Sequence, residues 1–251
     1  MTRHGGKKTL KRLNTPKFLQ IKRKHGKFFV KSSPGPHPSR ECLHLLHIVR
    51  DLLKFADNHR EAKKLIGLGY FKVDGKIVRD KAFPVGLMDV LSIEKINKNF
   101  RLLPDSHYGL ILHEIPESES SFKLCRIRQK TTVKGGHFQL NLHDGRNILI
   151  RVNDPKNPKE DIYKRMDVLK ISVPEQEILK KLEFKEGSLA IIRSGKNIGQ
   201  IGTIKSIKKL FGPKASTVSI EHDGERTETL YDYTFVIGED QSEISLPKVG
   251  A

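Results

Sequence analysis

The sequence predicts an α+β chain of several units: a basic extended arm, a small α/β unit, a central antiparallel β domain and a C-terminal β-barrel. Three observations predict it. The 251 residues suffice for two or three compact units, each able to bury its own core. Helical periodicity is confined to a stretch after residue 41, and short β-type runs punctuated by Asp-Gly pairs follow it. The charge is uneven: residues 1–40 hold eight lysines, four arginines and no acid, or +12 of the chain's net +18. The expected bounds are 1–40 for the arm, 41–97, 98–174 and 175–238 for the folded units, and 239–251 for a polar, frayed tail.

The arm cannot build a core. It repels itself, and the prolines of "SPGPHPS" (33–39) block regular structure. The absence of Asp and Glu suits a segment that orders on a polyanion, since each acid would repel phosphate. Nucleic acid is the expected partner. Candidate contacts here are Arg3, Lys7, Lys8, Lys11, Arg12, Lys17, Lys22, Arg23 and Lys24.

From Cys42, Leu45, Leu46, Val49, Leu52, Leu53 and Ala56 recur at helical steps, leaving His47, Arg50 and Lys54 on other faces. A second helix starts at Asn58, a capping residue with Glu61 three positions on. Ala62, Leu65 and Ile66 form its buried stripe, and Gly67 or Gly69 ends it. Asn58, His59, Arg60, Lys63 and Lys64 then sit at or near its first turns, where backbone N–H groups already favour an anion. "YFKVDGKIVRD" follows as a hairpin around Asp74-Gly75, and a further strand is expected at 88–93.

Beyond Asn97 the runs 108–115, 122–133, 137–152 and 167–173 predict one small antiparallel unit, with a hairpin at Asp144-Gly145. The loop 153–161 is marked by prolines and asparagines. A last β unit, expected to close into a barrel, contains "SLAIIRS", "STVSIEH", a third Asp-Gly turn at 223–224 and "YTFVI". Between its first two strands lies "SGKNIGQIGTIKSIKKLFG" (194–212), whose isoleucines fall near a helical spacing. Its glycines at 195, 199 and 202 argue for strand–turn–strand instead. A P-loop is excluded, because Lys196 is followed by Asn197 and no glycine stands five before Gly195. Lys196 and Asn197, at the turn tip, are the contact candidates; the glycines mainly shape the fold.

Catalytic spacings are scarce. His44 and His47 lack a completing ligand for a metal site, and Ser206 with Lys209 matches Ser-x-x-Lys only as a lysine-rich chain does by chance. No Gly-x-Ser-x-Gly elbow or His-Glu-x-x-His pair occurs. Cys42 and Cys125, far apart, are expected to be free thiols. No apolar run approaches the roughly 20 residues of a membrane span, and no secretory signal is expected.

The run "NHREAKKLIGLGYFKVDGKIV" (58–78), with its helices and hairpin, resembles the S-four-type RNA-binding domain over about residues 41–95. That resemblance implies an RNA-facing surface of Asn58, His59, Arg60, Lys63, Lys64 and, from the hairpin, Lys76. The family often has serine where His59 stands, so a hydroxyl contact there is not carried over. "LAIIRSGKNIGQIGTIKSI" resembles a KOW motif, whose units are small SH3-like barrels that bind RNA or protein. With "AFPVGLMDV" (82–90), the order of units over essentially the full chain resembles the S-four-e family of small-subunit ribosomal proteins of archaea and eukaryotes. The short C-terminus is more like the archaeal members. The resemblance implies a cytoplasmic structural constituent of the small ribosomal subunit. Its partners would be ribosomal RNA and neighbouring ribosomal proteins, with no membrane, cofactor, small-molecule substrate or catalysis. The alternatives are a KOW-containing transcription or translation factor, or an RNA-modifying enzyme such as a pseudouridine synthase. The latter needs an aspartate in Gly-Arg-Leu-Asp, and the nearest run, Gly145-Arg146-Asn147, does not supply it.

Overall fold

The computed structural model describes residues 9–19, 21, 24, 26–106, 109–154, 159–210, 215–222 and 224–247. In the arm, Leu10–Lys11 (β1) pairs antiparallel with Phe28–Phe29 (β2). As the charge implies, this ladder has no core of its own. It borrows one: Leu19 and Phe29 are buried in the core of the next unit, and the Phe29 ring stands edge-on to His44 and His47.

Cys42–His44 is a strand (β3) rather than the start of a helix. An apolar run this short does not separate strand from helix by period alone; pairing with residues 84–86 decides it. The helix begins at Leu45–His47 (α1) and continues as a π-helical turn over Ile48–Leu52. His47, expected on an outward face, is buried because Phe29 of the arm covers it. The second helix lies where its capping signal puts it, at His59–Gly67 (α2), with Glu61 accepting the Asn58 N–H at 3.3 Å. Ala62 and Ile66 are buried and Leu65 half-buried, so the other side chains of this helix face outward.

Phe71–Val73 (β4) and Lys76–Ile77 (β5) form the expected hairpin. Asp74 and Gly75 both take positive φ, 48° and 72°, the type I′ combination. Pro84–Gly86 (β6) pairs with β3, and Val90–Ile93 (β7) with β4. The expected strand at 88–93 starts two residues late, because Asp89 turns its carboxylate back to the Gly86 N–H at 2.8 Å. Lys98–Asp105 (β8) and Gly109–Ile115 (β9) complete a five-stranded sheet in the order β5-β4-β7-β8-β9. The sequence groups 108–115 with the strands that follow it; hydrogen bonding to β8 puts 109–115 in this first sheet instead. Tyr108 lies outside the described residues.

A short helix, Glu117–Ser120 (α3), leads into a second five-stranded sheet. Its strands are Phe122–Thr132 (β10), Phe138–Leu142 (β11), Asn147–Ile150 (β12), Val168–Ser172 (β13) and Ile178–Leu182 (β14). Their order is β12-β11-β10-β13-β14. Residues 122–127 of β10 are buried on both faces. One face joins the large core, and on the other Cys125 and Ile127 pack with Leu140, Leu142, Leu169 and Ile171. Both cysteines are free, as expected, and both are buried.

The third sheet contains Leu189–Ile192 (β15), Ile201–Lys208 (β16), Thr217–His222 (β17), Glu225–Leu230 (β18) and Thr234–Gly238 (β19). It runs β18-β17-β16-β15-β19. The described pairings make an open sheet with β18 and β19 at its edges; the closure expected from the sequence is not among them. The stretch from Ser194 is a turn followed by β16, as its glycines argue. Gly199 (φ 83°) sits where a Cβ would lie 2.8 Å from the Ser106 nitrogen, and one on Gly202 would lie 2.2 Å from the Glu221 carbonyl oxygen. Gly202→Ala therefore forces β16 off β17, with an expected loss of about 2–3 kcal/mol. An unchanged urea midpoint would contradict this contact. Asp223 of the third Asp-Gly pair, and 155–158 of the loop at 153–161, lie outside the described residues.

The tail is docked rather than frayed through residue 247. Glu243 accepts from Lys170 (2.9 Å) and Lys180 (2.6 Å), Ile244 is buried, and the Ser245 N–H meets the Glu119 carboxylate at 3.1 Å. No helix among the described residues is long and apolar enough to cross a membrane.

Candidate nucleic-acid interface

Helix α2 presents its polar side because Ala62 and Ile66 fix the opposite stripe in the core. Asn58, His59, Arg60, Lys63 and Lys64 are all exposed. His59 Nε2 lies 3.1 Å from the Lys81 ammonium, so a neutral imidazole accepts from it. Burial, then the charges of Lys81, Arg50 and Lys63, hold His59 below its ordinary pKa. Cations crowd this end of the helix closely enough to disfavour a charged His59, and a bound anion relieves that cost.

The arm reaches the same place. Thr9, Phe28, Lys31, Arg50, His59 and Lys81 line a groove of about 330 Å³ between the β1–β2 ladder and α2. Arg50 is partly neutralised by a fork onto Asp51, Nε to Oδ1 at 2.9 Å and Nη2 to Oδ2 at 2.8 Å. Asp51 also takes His47 Nδ1 at 2.7 Å, and these partners hold its carboxyl well below the usual range despite burial. The sequence offers Asp51 four residues from His47, a carboxylate overlooked when no completing ligand was found there; it serves as a hydrogen-bond partner. Lys31, Arg50 and Lys81 were also missed, since only the folded arm brings them beside His59.

The remaining candidates are dispersed. Lys11 and Lys17 are exposed and Arg12 half-buried on the arm, and Lys24 is exposed. Arg3, Lys7, Lys8, Lys22 and Arg23 lie outside the described residues. Lys76 is exposed on β5, whose Ile77 abuts Gly69 just beyond the far end of α2. Lys196 is exposed and Asn197 half-buried, in a turn whose Gly199 presses on the β8–β9 connection. That turn is therefore partly an internal contact.

Comparison with known proteins gives three family matches along the chain: an RS4NT domain at residues 4–40, an S4 domain at 51–91 and ribosomal family S4e at 96–178. The small ribosomal subunit protein eS4 of Aeropyrum pernix is 51% identical over 249 residues, covering 99% of this chain and 98% of that protein. This chain belongs to ribosomal family S4e. The eS4 protein of Methanocaldococcus jannaschii is 47% identical over 247 residues, covering 98% and 100% of the two chains. A solved structure of the 30S ribosomal protein S4e from Thermoplasma acidophilum matches with a TM-score of 0.67 and 34% identity, over 79% of this chain and 96% of that one.

The S4e chain also holds a cluster that the sequence reading missed entirely. Lys123 of β10 is fully buried, and its ammonium donates to Asp74 (2.9 Å), Asp144 (3.0 Å) and Asp89. Arg146 bridges Asp74 (2.6 Å) and Asp144 (3.2 Å). His37, from the proline-rich end of the arm, meets Asp89 at 3.0 Å. Backbone N–H groups satisfy further oxygens: Val90 on Asp74 (3.0 Å) and Gly86 on Asp89 (2.8 Å). Three carboxylates face one ammonium and one guanidinium, so their pKa values are pushed apart. Lys123 and His37 hold Asp89 well below the usual range, and Lys123 and His143 hold Asp144 down at about 2, both against burial. Burial, helped by the Asp89 charge, pushes Asp74 up against Lys123 and Arg146. The three carboxylates drive Lys123 well above its ordinary value although burial opposes it.

Cys125, His143 and Asp144 each place a potential ligand atom within 4.8 Å of the others. Their bonding accounts for them without a metal. His143 Nδ1 accepts the Arg126 N–H (3.2 Å), its Nε2 donates to the Leu87 carbonyl (3.2 Å), and Lys123 already stands against Asp144. Burial pushes the Cys125 thiol well up and Cys42 to about 12, so neither is a thiolate nucleophile near neutral pH.

Proposed function

We propose that this S4e chain is a structural constituent of the small ribosomal subunit, where it binds ribosomal RNA, contacts neighbouring ribosomal proteins and supports subunit assembly and translation. The observation that carries this reading is the meeting of the arm with the cationic first turn of α2 around one groove. Near-full-length relatives named small ribosomal subunit protein eS4 give it its setting, the cytoplasmic ribosome. Affinity comes from phosphate neutralisation and counterion release, and α2 reads RNA shape rather than base sequence. The RNA-facing residues are the arm cations, Asn58, His59, Arg60, Lys63 and Lys64, with Lys76 and Lys196–Asn197 as outlying contacts.

The division into arm (1–40), RNA-binding unit (41–97), central unit (98–174) and C-terminal unit (175–238) is part of this reading. Family matches at 51–91 and 96–178 support its second boundary, although β8 and β9 hydrogen-bond onto the first sheet. Reading 175–238 as a KOW-type SH3-like barrel rests on the strand–turn–strand of β15 and β16 and on Gly195, Gly199 and Gly202. The protonated thiols disfavour thiolate-based enzyme chemistry, and relatives named as subunit proteins disfavour a dissociable factor.

The test is a triple variant, Arg60→Gln with Lys63→Gln and Lys64→Gln. These side chains are exposed, so folding is retained. The salt dependence of ribosomal RNA binding should flatten by about two units of log–log slope, since each phosphate contact contributes about 0.7–0.9. Reconstituted small subunits washed in high salt should then lose the variant and retain the wild type. Stoichiometric retention of the variant, with an unchanged slope, would refute the assigned surface.

A further inference from the structure

A second cationic site lies away from α2, where the three units meet. A pocket of about 260 Å³ is lined by Arg126 and Arg128 of β10, Arg165 from the loop before β13, Arg193 at the end of β15, and by Glu41 and Asp232. Four guanidinium groups thus face two carboxylates, and both carboxylates are taken. Glu41 pairs with Arg193 at 3.0 Å, and Asp232 pairs with Arg165 at 2.9 Å. Arg126 and Arg128 have no carboxylate partner among the described residues.

Arg126 is the unusual member. It is only 5% exposed, yet its Nη1 reaches only neutral acceptors, the carbonyls of Asp232 (2.7 Å) and Thr234 (3.1 Å). Its Nε is buried without any hydrogen-bond partner. A purely architectural role, clamping β19 to β10, accounts for Nη1 but leaves the Nε–H unused. Burying an uncompensated charge beside other cations is costly unless an anion completes the site. Burial, then the Arg193 charge, lowers Arg126 to about 10, the direction an absent counter-anion gives.

We propose that this pocket holds a backbone phosphate of the ribosomal RNA, with Arg126 and Arg128 as its principal donors and Arg165 and Arg193 at its rim. The inference rests on the reading of the chain as an RNA-binding subunit protein, and it extends the contact surface to the seam between the central and C-terminal units. All four cations are arginine, whose planar fork matches the oxygens of a phosphate, in a chain otherwise dominated by lysine. A carboxylate from a protein partner would satisfy the same forks. The net charge of +18 favours the polyanion.

The experiment uses the full chain and the double variant Arg128→Gln with Arg165→Gln, which spares buried Arg126. Arginine side-chain Nε–H resonances are followed while inorganic phosphate is added, and ribosomal RNA binding is measured across a salt series. In the wild type, phosphate should shift the Arg126 Nε–H saturably; in the variant that shift should be lost. The RNA salt slope of the variant should fall by about 1. A wild type that binds the RNA while phosphate leaves Arg126 unmoved and the variant keeps its slope overturns the site. A phosphate shift with an unchanged RNA slope overturns the RNA assignment in favour of an acidic protein group. Failure of the wild type to bind the RNA overturns the proposed function instead, whatever phosphate does.

Discussion

Lys123→Met should cost about 3–5 kcal/mol at neutral pH, the usual penalty for removing one partner of a buried charge network. For a chain of this size that is a fall in melting temperature of roughly 10 °C. The reason is geometric. One ammonium serves Asp74, Asp89 and Asp144, and without it Arg146, His37 and, beside Asp144, His143 are left to face three carboxylates. The pH dependence gives a sharper signature. In the wild type Asp89 and Asp144 titrate below their unfolded values, so their stabilisation is present above about pH 4 and lost as pH falls towards 2. Lys123 titrates above its unfolded value, so its share is intact below about pH 10 and is lost at higher pH. Asp74, pushed up, opposes the other two carboxylates and softens the acid limb. In the variant the unpaired carboxylates rise above their unfolded values, and the sign reverses: stability is regained as pH drops from 7 towards 4. Urea unfolding at pH 7 and pH 5 checks both statements. Equal stability of the two proteins at pH 7 would show that the cluster holds nothing together.

The arm should dominate the salt dependence of RNA binding. Replacing Lys11, Arg12, Lys17 and Lys24 by glutamine removes four cations without touching the apolar anchors. The expected fall in log–log slope is about 3, against about 2 for the three cations of α2. Truncating residues 2–33 would be a poorer test. It would strip Leu19 and Phe29 from the core and expose His44 and His47, so lost folding would mimic lost binding. Fluorescence titrations between 50 and 200 mM salt would decide the matter. A wild-type slope in the four-residue variant would mean that the arm's charge does not face the RNA.

What the sequence made legible was local. The Asn58–Glu61 capping box, the type I′ turn at Asp74-Gly75 and the turn leading from Ser194 into β16 depend on a few adjacent residues, and each lies where it was expected. The exposed face of α2 followed from the same local periodicity. What stayed hidden depended on partners distant in the chain. The run 122–133 reads as a strand, but nothing in it announces that other elements cover both faces of β10 and bury Lys123 and Arg126, which lie on opposite sides of it. Asp74 and Asp144 were visible only as turn residues, although each also faces Lys123. Phe29 and Leu19 stood in a segment whose charge suggested complete exposure. The groove beside α2 needed Lys31 and Lys81 brought together, which no spacing in the sequence announces.

The residues around Lys123 come from positions 37, 74, 89, 123, 144 and 146, drawn from the arm, the first sheet and the central sheet. Such a cluster forms only after several long chain loops have closed, so it should be absent when the folding barrier is crossed. Interactions made after the barrier act on escape from the native state and leave the speed of reaching it nearly unchanged. The buried lysine thus acts as a latch on lifetime. In stopped-flow measurements Lys123→Met should unfold faster while refolding at its usual rate, and slowed refolding would place the cluster earlier on the path.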